Sequence, residues 1–145
     1  MKVYNGIITR PTGENFQLLD VTEDIRRLIE ESGVQNGVLT VLSRHTTAAV
    51  AVNEFEERLL ADIRNYFSKL APSEGPYLHN DIHLRDCPPD EPENAHSHLI
   101  ALMLGNSESI GIREGELVLG KYQSVLLVEL DGPRERELAV TIVGE

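Results

Sequence analysis

The feature that most constrains this chain is the stretch Val38–Glu54. It opens with Val38-Leu39-Thr40-Val41-Leu42, an apolar run rich in β-branched residues. A compact polar group, Ser43-Arg44-His45-Thr46-Thr47, interrupts it before Ala48-Ala49-Val50-Ala51-Val52 resumes the apolar character. The stretch ends on Asn53-Glu54. Short apolar runs of this composition, broken by polar residues, read as buried strands over 37–42 and 48–52. A strand pair that carries His45, Thr46, Thr47, Asn53 and Glu54 at its rims has the makings of a site built on rigid elements.

The rest of the chain arranges itself around that pair. Residues 2–9 alternate as a strand, Arg10-Pro11-Thr12-Gly13-Glu14-Asn15 reads as a turn, and 16–19 as a second strand. Asp20 with Glu23 three residues on suggests a capped helix with Val21, Ile25, Leu28 and Ile29 as its apolar stripe and Gly33 as its stop. After the central strands, Phe55, Leu59, Leu60, Ile63, Tyr66, Phe67 and Leu70 recur at helical spacing, and Asn53 stands where an N-cap belongs. Pro72 ends that helix. Residues 71–93 form a long loop carrying His79, Asp81, His83 and the prolines at 72, 76, 88, 89 and 92. Asn94 can cap a helix over 95–104 that Gly105 closes, and its nearly all-apolar composition implies deep burial. Four strands follow, over 109–112, 116–119, 124–130 and 137–143. The last two are apolar almost throughout, which implies cover on both faces, some of it from another subunit. The order ββα-ββα-α-ββββ is that of an α+β fold with mixed or antiparallel sheets, in one domain spanning 1–145.

Composition narrows the function classes. At 145 residues, 41% hydrophobic and 26% charged, the chain is long enough and apolar enough to bury a core. A net charge of -11 with thirteen dispersed basic residues argues against nucleic-acid binding. A small phosphorylated ligand is compatible with that charge if a metal or a local arginine cluster holds it. Cys87 is the single cysteine, so neither an intrachain disulfide nor a thiolate metal site is expected. No apolar run approaches the roughly 20 residues of a membrane span, and Met1-Lys2-Val3-Tyr4-Asn5-Gly6 has no apolar signal-peptide core; a cytoplasmic protein is expected.

The chemistry-bearing residues lie far apart in sequence. Of five histidines, His45 ends a strand, His79 sits in the proline-rich loop, and His96 lies in the first turn of a capped helix, where the dipole favours neutral imidazole. His96 and His98 point about 200° apart on a helix, so only one can face a shared site; His96, nearer the cap, is the expected one. His83 and His98 read as ordinary histidines bonded to backbone. Glu54 serves either the helix N-terminus or, beside the His45 strand, as a general base. Asp62 either pairs with Arg58 or faces inward at the edge of the buried helix face. Thr46 and Thr47 can bind an anion or simply make the turn. Arg134 and Arg136, one residue apart, project together if the pleat has begun, which suits phosphate; a solvated mixed-charge turn is the plainer reading. In Gly120-Lys121-Tyr122-Gln123, Gly120 permits close backbone approach and Gln123 offers a donor and an acceptor.

Several segments together resemble one family. They are Arg44-His45-Thr46-Thr47-Ala48-Ala49, Val52-Asn53-Glu54 with Asp62, Tyr77-Leu78-His79, Asn94-Ala95-His96, Leu104-Gly105-Asn106-Ser107, Gly115 to Gln123, and the Arg134/Arg136 end. Their order and spacing are similar to those of the bacterial and archaeal YjbQ family. The resemblance implies an α+β fold, a homotrimer with sites near subunit boundaries, and a divalent metal (zinc or magnesium) held by His45, His79 and His96. It also implies a secondary thiamine-phosphate synthase activity, joining a hydroxymethylpyrimidine diphosphate to a thiazole phosphate with release of pyrophosphate. His45, Glu54 and Asp62 are then the expected catalytic residues. Thr46, Thr47, Asn53, Lys121, Gln123, Arg134 and Arg136 are the expected contacts to a small phosphorylated substrate. A metal-assisted hydrolase of a phosphorylated or amide substrate, or a trimeric ligand-binding or regulatory protein, are the competing expectations. The family's Gly-Thr-Trp-Gln stands here as Gly120-Lys121-Tyr122-Gln123.

Overall fold

Alternating burial along most strands, and continuous burial along two of them, decide the layering. A computed structural model describes residues Met1–Glu145. Its elements are β1 (Lys2–Pro11), β2 (Gln17–Asp20), α1 (Thr22–Ser32), β3 (Gly37–Ser43), β4 (Ala48–Asn53), α2 (Glu57–Leu70), α3 (Ala95–Leu104), β5 (Ser107–Arg113), β6 (Glu116–Leu117), β7 (Ser124–Glu129) and β8 (Glu135–Gly144). The strands form two antiparallel sheets, ordered β1-β8-β3-β5-β6 and β2-β7-β4. The α+β class and the element order are as the sequence suggests; no parallel pairing occurs.

The two strands of the central stretch are not partners. β3 pairs with β5 and β8, and β4 pairs with β7 in the other sheet. Ser43–Thr47 is therefore a crossing between sheets. The reason is burial: β3 presents Leu39 and Val41 inward, β4 is buried from Ala48 to Val50, and each needs a facing layer rather than a neighbour in plane. The main core fills that interlayer with Leu39, Val41, Val50, Leu127, Leu138, Val140 and Ile142, joined by Ile25, Leu28 and Ile29 of α1. A second cluster covers the far face of the small sheet, where Leu18, Ala49, Leu126, Val128 and Leu130 meet Ile100 of α3 and Leu60, Ile63 and Phe67 of α2. β7 thus has both faces covered by its own chain. β8 does not: Leu138, Val140 and Ile142 point in, while alternate residues face outward.

That outward face has an unusual composition. Across the five-stranded sheet, register places Val3, Val143 and Val38 in one row, Asn5, Thr141, Thr40 and Ser109 in the next, and Ile7, Ala139, Leu42 and Ser107 in a third. None is charged, in a chain of net charge -11.

Helix starts differ from the sequence expectation. Val21, not Asp20, stands at the N-cap of α1; Asp20 Oδ1, one residue earlier, accepts from the N–H (3.0 Å) and O–H (2.5 Å) of Thr22, the first residue of the helix. Glu23 pairs with Arg26 instead of reaching back. α2 begins at Glu57, capped by Glu56, which accepts from the backbone N–H groups of Arg58 and Leu59. Asn53 cannot cap it because pairing with Ser124 keeps it in β4; its Oδ1 accepts from Glu54 N–H at 2.8 Å. Residues 71–93 contain two short 3-10 turns, Leu78–Asn80 and Ile82–Leu84. Asn80 Oδ1 from the first caps α3 at Ala95 N–H (3.1 Å), while Asn94 Nδ2 donates to Asp131. Nor is α3 deeply buried: Leu99, Leu102 and Met103 are 46%, 80% and 62% exposed.

One polar contact pins the two sheets. Glu129, at the end of β7, is 0% exposed, and Arg136, at the start of β8, is 3% exposed. Arg136 Nε donates to both Glu129 oxygens at 2.9 Å, and a terminal nitrogen donates to the same carboxylate. Thr12 O–H (2.6 Å) and the backbone N–H groups of Leu130 and Asp131 complete the shell. Burial pushes the Glu129 carboxyl up, but the hydrogen bonds from Arg136 and Thr12 outweigh it and hold the group below its ordinary 4.5. Its folded value being depressed, its contribution to stability is full above 4.5 and is lost as pH falls through the folded value. Arg136→Met, which strands the carboxylate, is expected to cost about 3–5 kcal/mol in urea denaturation, and Arg136→Met combined with Glu129→Met distinctly less. Equal losses in the two variants would show that the pair is not acting as a unit.

Candidate functional site

The crossing Ser43–Thr47 is held along its whole length. Ser43 N–H donates to Asn106 C=O (2.7 Å) and its O–H to Ala48 C=O (3.0 Å). Arg44 N–H donates to Glu137 C=O, and the Arg44 guanidinium pairs with the Glu137 carboxylate at 3.1 Å. Glu137 N–H in turn donates to His45 Nε2 at 2.8 Å. Thr47 C=O and Oγ1 accept from Arg136 at 3.1 and 2.9 Å. Thr46 is exposed, and its backbone carbonyl accepts from the His98 ring.

Opposite the crossing lies α3. Its buried Ser97 donates to Leu130 C=O at 2.5 Å, fixing the helix rotation, and Gly105 C=O accepts from Val50 N–H in β4. Between crossing and helix is a cavity of about 400 Å³ lined by His45, Thr46, Ala48, His98, Ala101, Leu102, Gly105 and Asn106. His98, Ala101, Leu102 and Gly105 are spaced i, i+3, i+4, i+7, one helix stripe. Two of its members are small, which makes the room.

The helix therefore presents His98, and not His96, to the cavity that His45 lines. Rotation set by Ser97 turns His96 away, where its Nδ1 is buried without a partner and its Nε2 lies 3.4 Å from Ser97 Oγ. The stripe of small residues was the sequence signal for His98. His79 comes in behind: its ring packs edge-on against His98, centroids 4.8 Å apart at 81°. Burial lowers the pKa of His45, helped by Arg136 and opposed by Glu129 and Glu137. Burial also lowers His98, helped by the neighbouring His79, and lowers His96 against the opposing charge of Asp131.

The expected three-histidine metal centre does not form within one chain. No three His, Cys, Asp or Glu side chains are gathered as a metal requires. His45 Nε2 already spends its lone pair on Glu137 N–H, and the half-buried His96 ring is not part of the cavity lining. The donor set of a single chain thus does not fit a zinc or magnesium ion.

The other expected residues disperse. Thr46 lines the cavity, while Thr47 is buried against Arg136. Arg134 and Arg136 do not form a common anion clamp. Arg136 is consumed by Glu129, whereas Arg134 donates to Asp131 C=O and carboxylate at 2.8 and 2.9 Å, because β8 begins only at Glu135 and Arg134 still belongs to the turn. Asp62 is exposed on α2, beside Glu57, Arg58 and Ala61, and neither pairs with Arg58 nor faces inward; the apolar stripe Leu60-Ile63-Phe67 takes the buried side. Asn53 and Glu54 stand at the end of β4 outside the cavity lining. Lys121 lies over the Tyr122 ring at 5.5 Å, and Gln123 Oε1 accepts from Gly120 N–H (2.7 Å), closing a local turn beside a groove along β5.

Comparison with known proteins gives one consistent match. A family model described as UPF0047 protein YjbQ-like matches residues 7–145. A UPF0047 protein of Methanothermobacter thermautotrophicus is 38% identical over 145 residues, covering 100% of this chain and 95% of the relative. Two solved structures superpose with TM-scores of 0.89. One, a YbjQ-like protein of unknown function from Sulfolobus solfataricus P2, is 39% identical and covers 99% of both chains. The other, a hypothetical protein from Aeropyrum pernix K1, is 40% identical and covers 98% of this chain and 99% of its own.

The lowered histidines have a measurable consequence. His45, His96 and His98 are expected to titrate below the ordinary 6.5 when their ring resonances are followed by NMR. Folded values being depressed, their effect on stability is absent above 6.5 and becomes a loss as pH falls through the folded values. A midpoint at or above 6.5 for His98 would contradict its burial against His79.

Proposed function

The chain belongs to the YjbQ family, and on that footing we propose that the His45–His98 cavity binds a single-ring heterocyclic phosphate and that the protein joins such substrates as a secondary thiamine-phosphate synthase. The observation that carries the reading is the cavity itself. Its volume of about 400 Å³ suits one small ligand, with Ala48, Ala101 and Leu102 for a flat ring and His45, Thr46, His98 and Asn106 for polar groups. In the reaction the thiazole nitrogen attacks the methylene carbon of the pyrimidine diphosphate. The C–N bond forms as the C–O bond breaks, and pyrophosphate departs with the electron pair. No proton is abstracted, so the site needs donors aimed at a departing oxyanion rather than a strong base. Neutral imidazoles with an N–H to give meet that need.

A homotrimer is part of the same reading. The three uncharged rows on the outer face of the five-stranded sheet support self-association in a chain of net charge -11. Leu102, at the cavity rim, is 80% exposed and available for cover by a neighbouring subunit.

The test is product formation from the two precursors, assayed with and without added magnesium or zinc. His45→Ala and His98→Ala are each expected to slow formation about 100-fold. Lys121→Ala, outside the cavity lining, is expected to change it little. Tight binding of a precursor without product would assign a ligand-binding role instead, and release of pyrophosphate without coupling would assign a hydrolase. Light scattering is expected to give three times the 16.2 kDa of one chain, with Leu42→Asp shifting the mass toward the monomer.

A further inference from the structure

We infer that His45 is a tautomer-locked hydrogen-bond donor, presenting Nδ1–H to an anionic oxygen of phosphate type, and is neither a general base nor a metal ligand. The inference rests on the phosphorylated-substrate reading and specifies how the site would recognise that substrate.

The lock comes from sheet register. β8 pairs with β3 as far as Leu138 opposite Ser43. One step further, Glu137 C=O still accepts from Arg44 N–H, so its own N–H points the same way and calls for an acceptor from the β3 side. A continuing strand would supply the carbonyl of Arg44. The chain instead turns into the crossing between sheets, and His45 Nε2 occupies that acceptor position at 2.8 Å. The imidazole nitrogen substitutes for a ladder carbonyl.

An acceptor nitrogen cannot carry a proton, so the neutral ring holds its proton on Nδ1. The opposite tautomer would set N–H against N–H and leave the half-buried Glu137 donor unsatisfied. Nδ1 has no partner within the chain and is not among the buried polar atoms, and the ring lines the cavity. The neighbouring charges do not compete for that proton: the Glu137 carboxylate is turned to Arg44, and Glu129 is enclosed by Arg136, Thr12 and backbone. Arg136, close by and permanently cationic, disfavours a second proton on the ring. Both lone-pair positions are thereby closed to a metal, one by Glu137 N–H and the other by the proton. What is left is a single directional donor of the kind a phosphate oxygen accepts.

The unmodified protein decides the tautomer. Long-range ¹H–¹⁵N spectra of histidine-labelled protein at pH 8 are expected to show His45 with a protonated Nδ1 and an acceptor Nε2. Inorganic pyrophosphate is expected to shift His45 saturably, and zinc chloride to leave its ring nitrogens unshifted. Asparagine places an amide donor near the position of Nδ1 and glutamine near that of Nε2. His45→Asn is therefore expected to keep pyrophosphate binding within about tenfold, and His45→Gln to weaken it about 10–100-fold more. A protonated Nε2, zinc-shifted ring nitrogens, absence of a pyrophosphate response, or glutamine outperforming asparagine would each overturn the inference. Failure of the transferase reading is separable. It would appear as no thiamine phosphate formed by a protein whose His45 tautomer and pyrophosphate response are as expected.

Discussion

The structure depends first on the enclosed pair Glu129–Arg136. β7 and β8 are consecutive in sequence but lie in different sheets, and nothing in their apolar residues dictates how one sheet sits on the other. Hydrophobic contact between two sheets is non-directional and tolerates sliding. A carboxylate and a guanidinium at the junction do not, because each must find all its partners or bear the cost of a buried unpaired charge. Thr12 at the end of β1, Leu130 and Asp131 after β7, and Thr47 before β4 all contribute to that shell. The pair thereby ties both sheets to the crossing that carries the site.

The cavity follows from the same junction. Thr47 is held by Arg136 and His45 by Glu137, two neighbours on one strand. α3 is seated against the other side by Ser97 on Leu130, the residue directly after Glu129. His45 and His98 thus face a common space because both walls are referenced to the same few residues at the end of β7 and the start of β8. Rigid backbone sets the donor directions, which preorganisation requires. Thr46, Leu102 and the exposed face of α3 leave one side of the cavity open.

Much of the fold was legible. Strands near 2–9, 37–42, 48–52, 124–130 and 137–143 and all three helices follow from apolar period and from Gly33, Pro72 and Gly105, since those signals report burial and backbone freedom directly. Helix caps were less so: Asn53 and Asn94 carry the right side chain in the right place, yet pairing with β7 holds one and Asp131 takes the other. In the site, His45 and Thr46 were legible as polar residues breaking an apolar run. His98 was not legible, because cap proximity favours His96 and only the seating of Ser97 on Leu130 decides which face of α3 meets the cavity. Arg136 looked like a solvent-facing anion ligand because its burial partner, Glu129, sits inside what reads as a purely apolar strand.

By itself the sequence determined the α+β class, the element order, the family and the residue types available for chemistry. These depend on local period, turn chemistry and motif spacing. Tertiary structure alone decided that β3 and β4 belong to different sheets, that Arg136 is structural while His98 joins His45, and that one chain does not assemble three metal ligands. Each of those outcomes depends on which residues meet across the interlayer. Contacts between segments some 50 to 120 residues apart are set by layer packing and register, not by any local pattern.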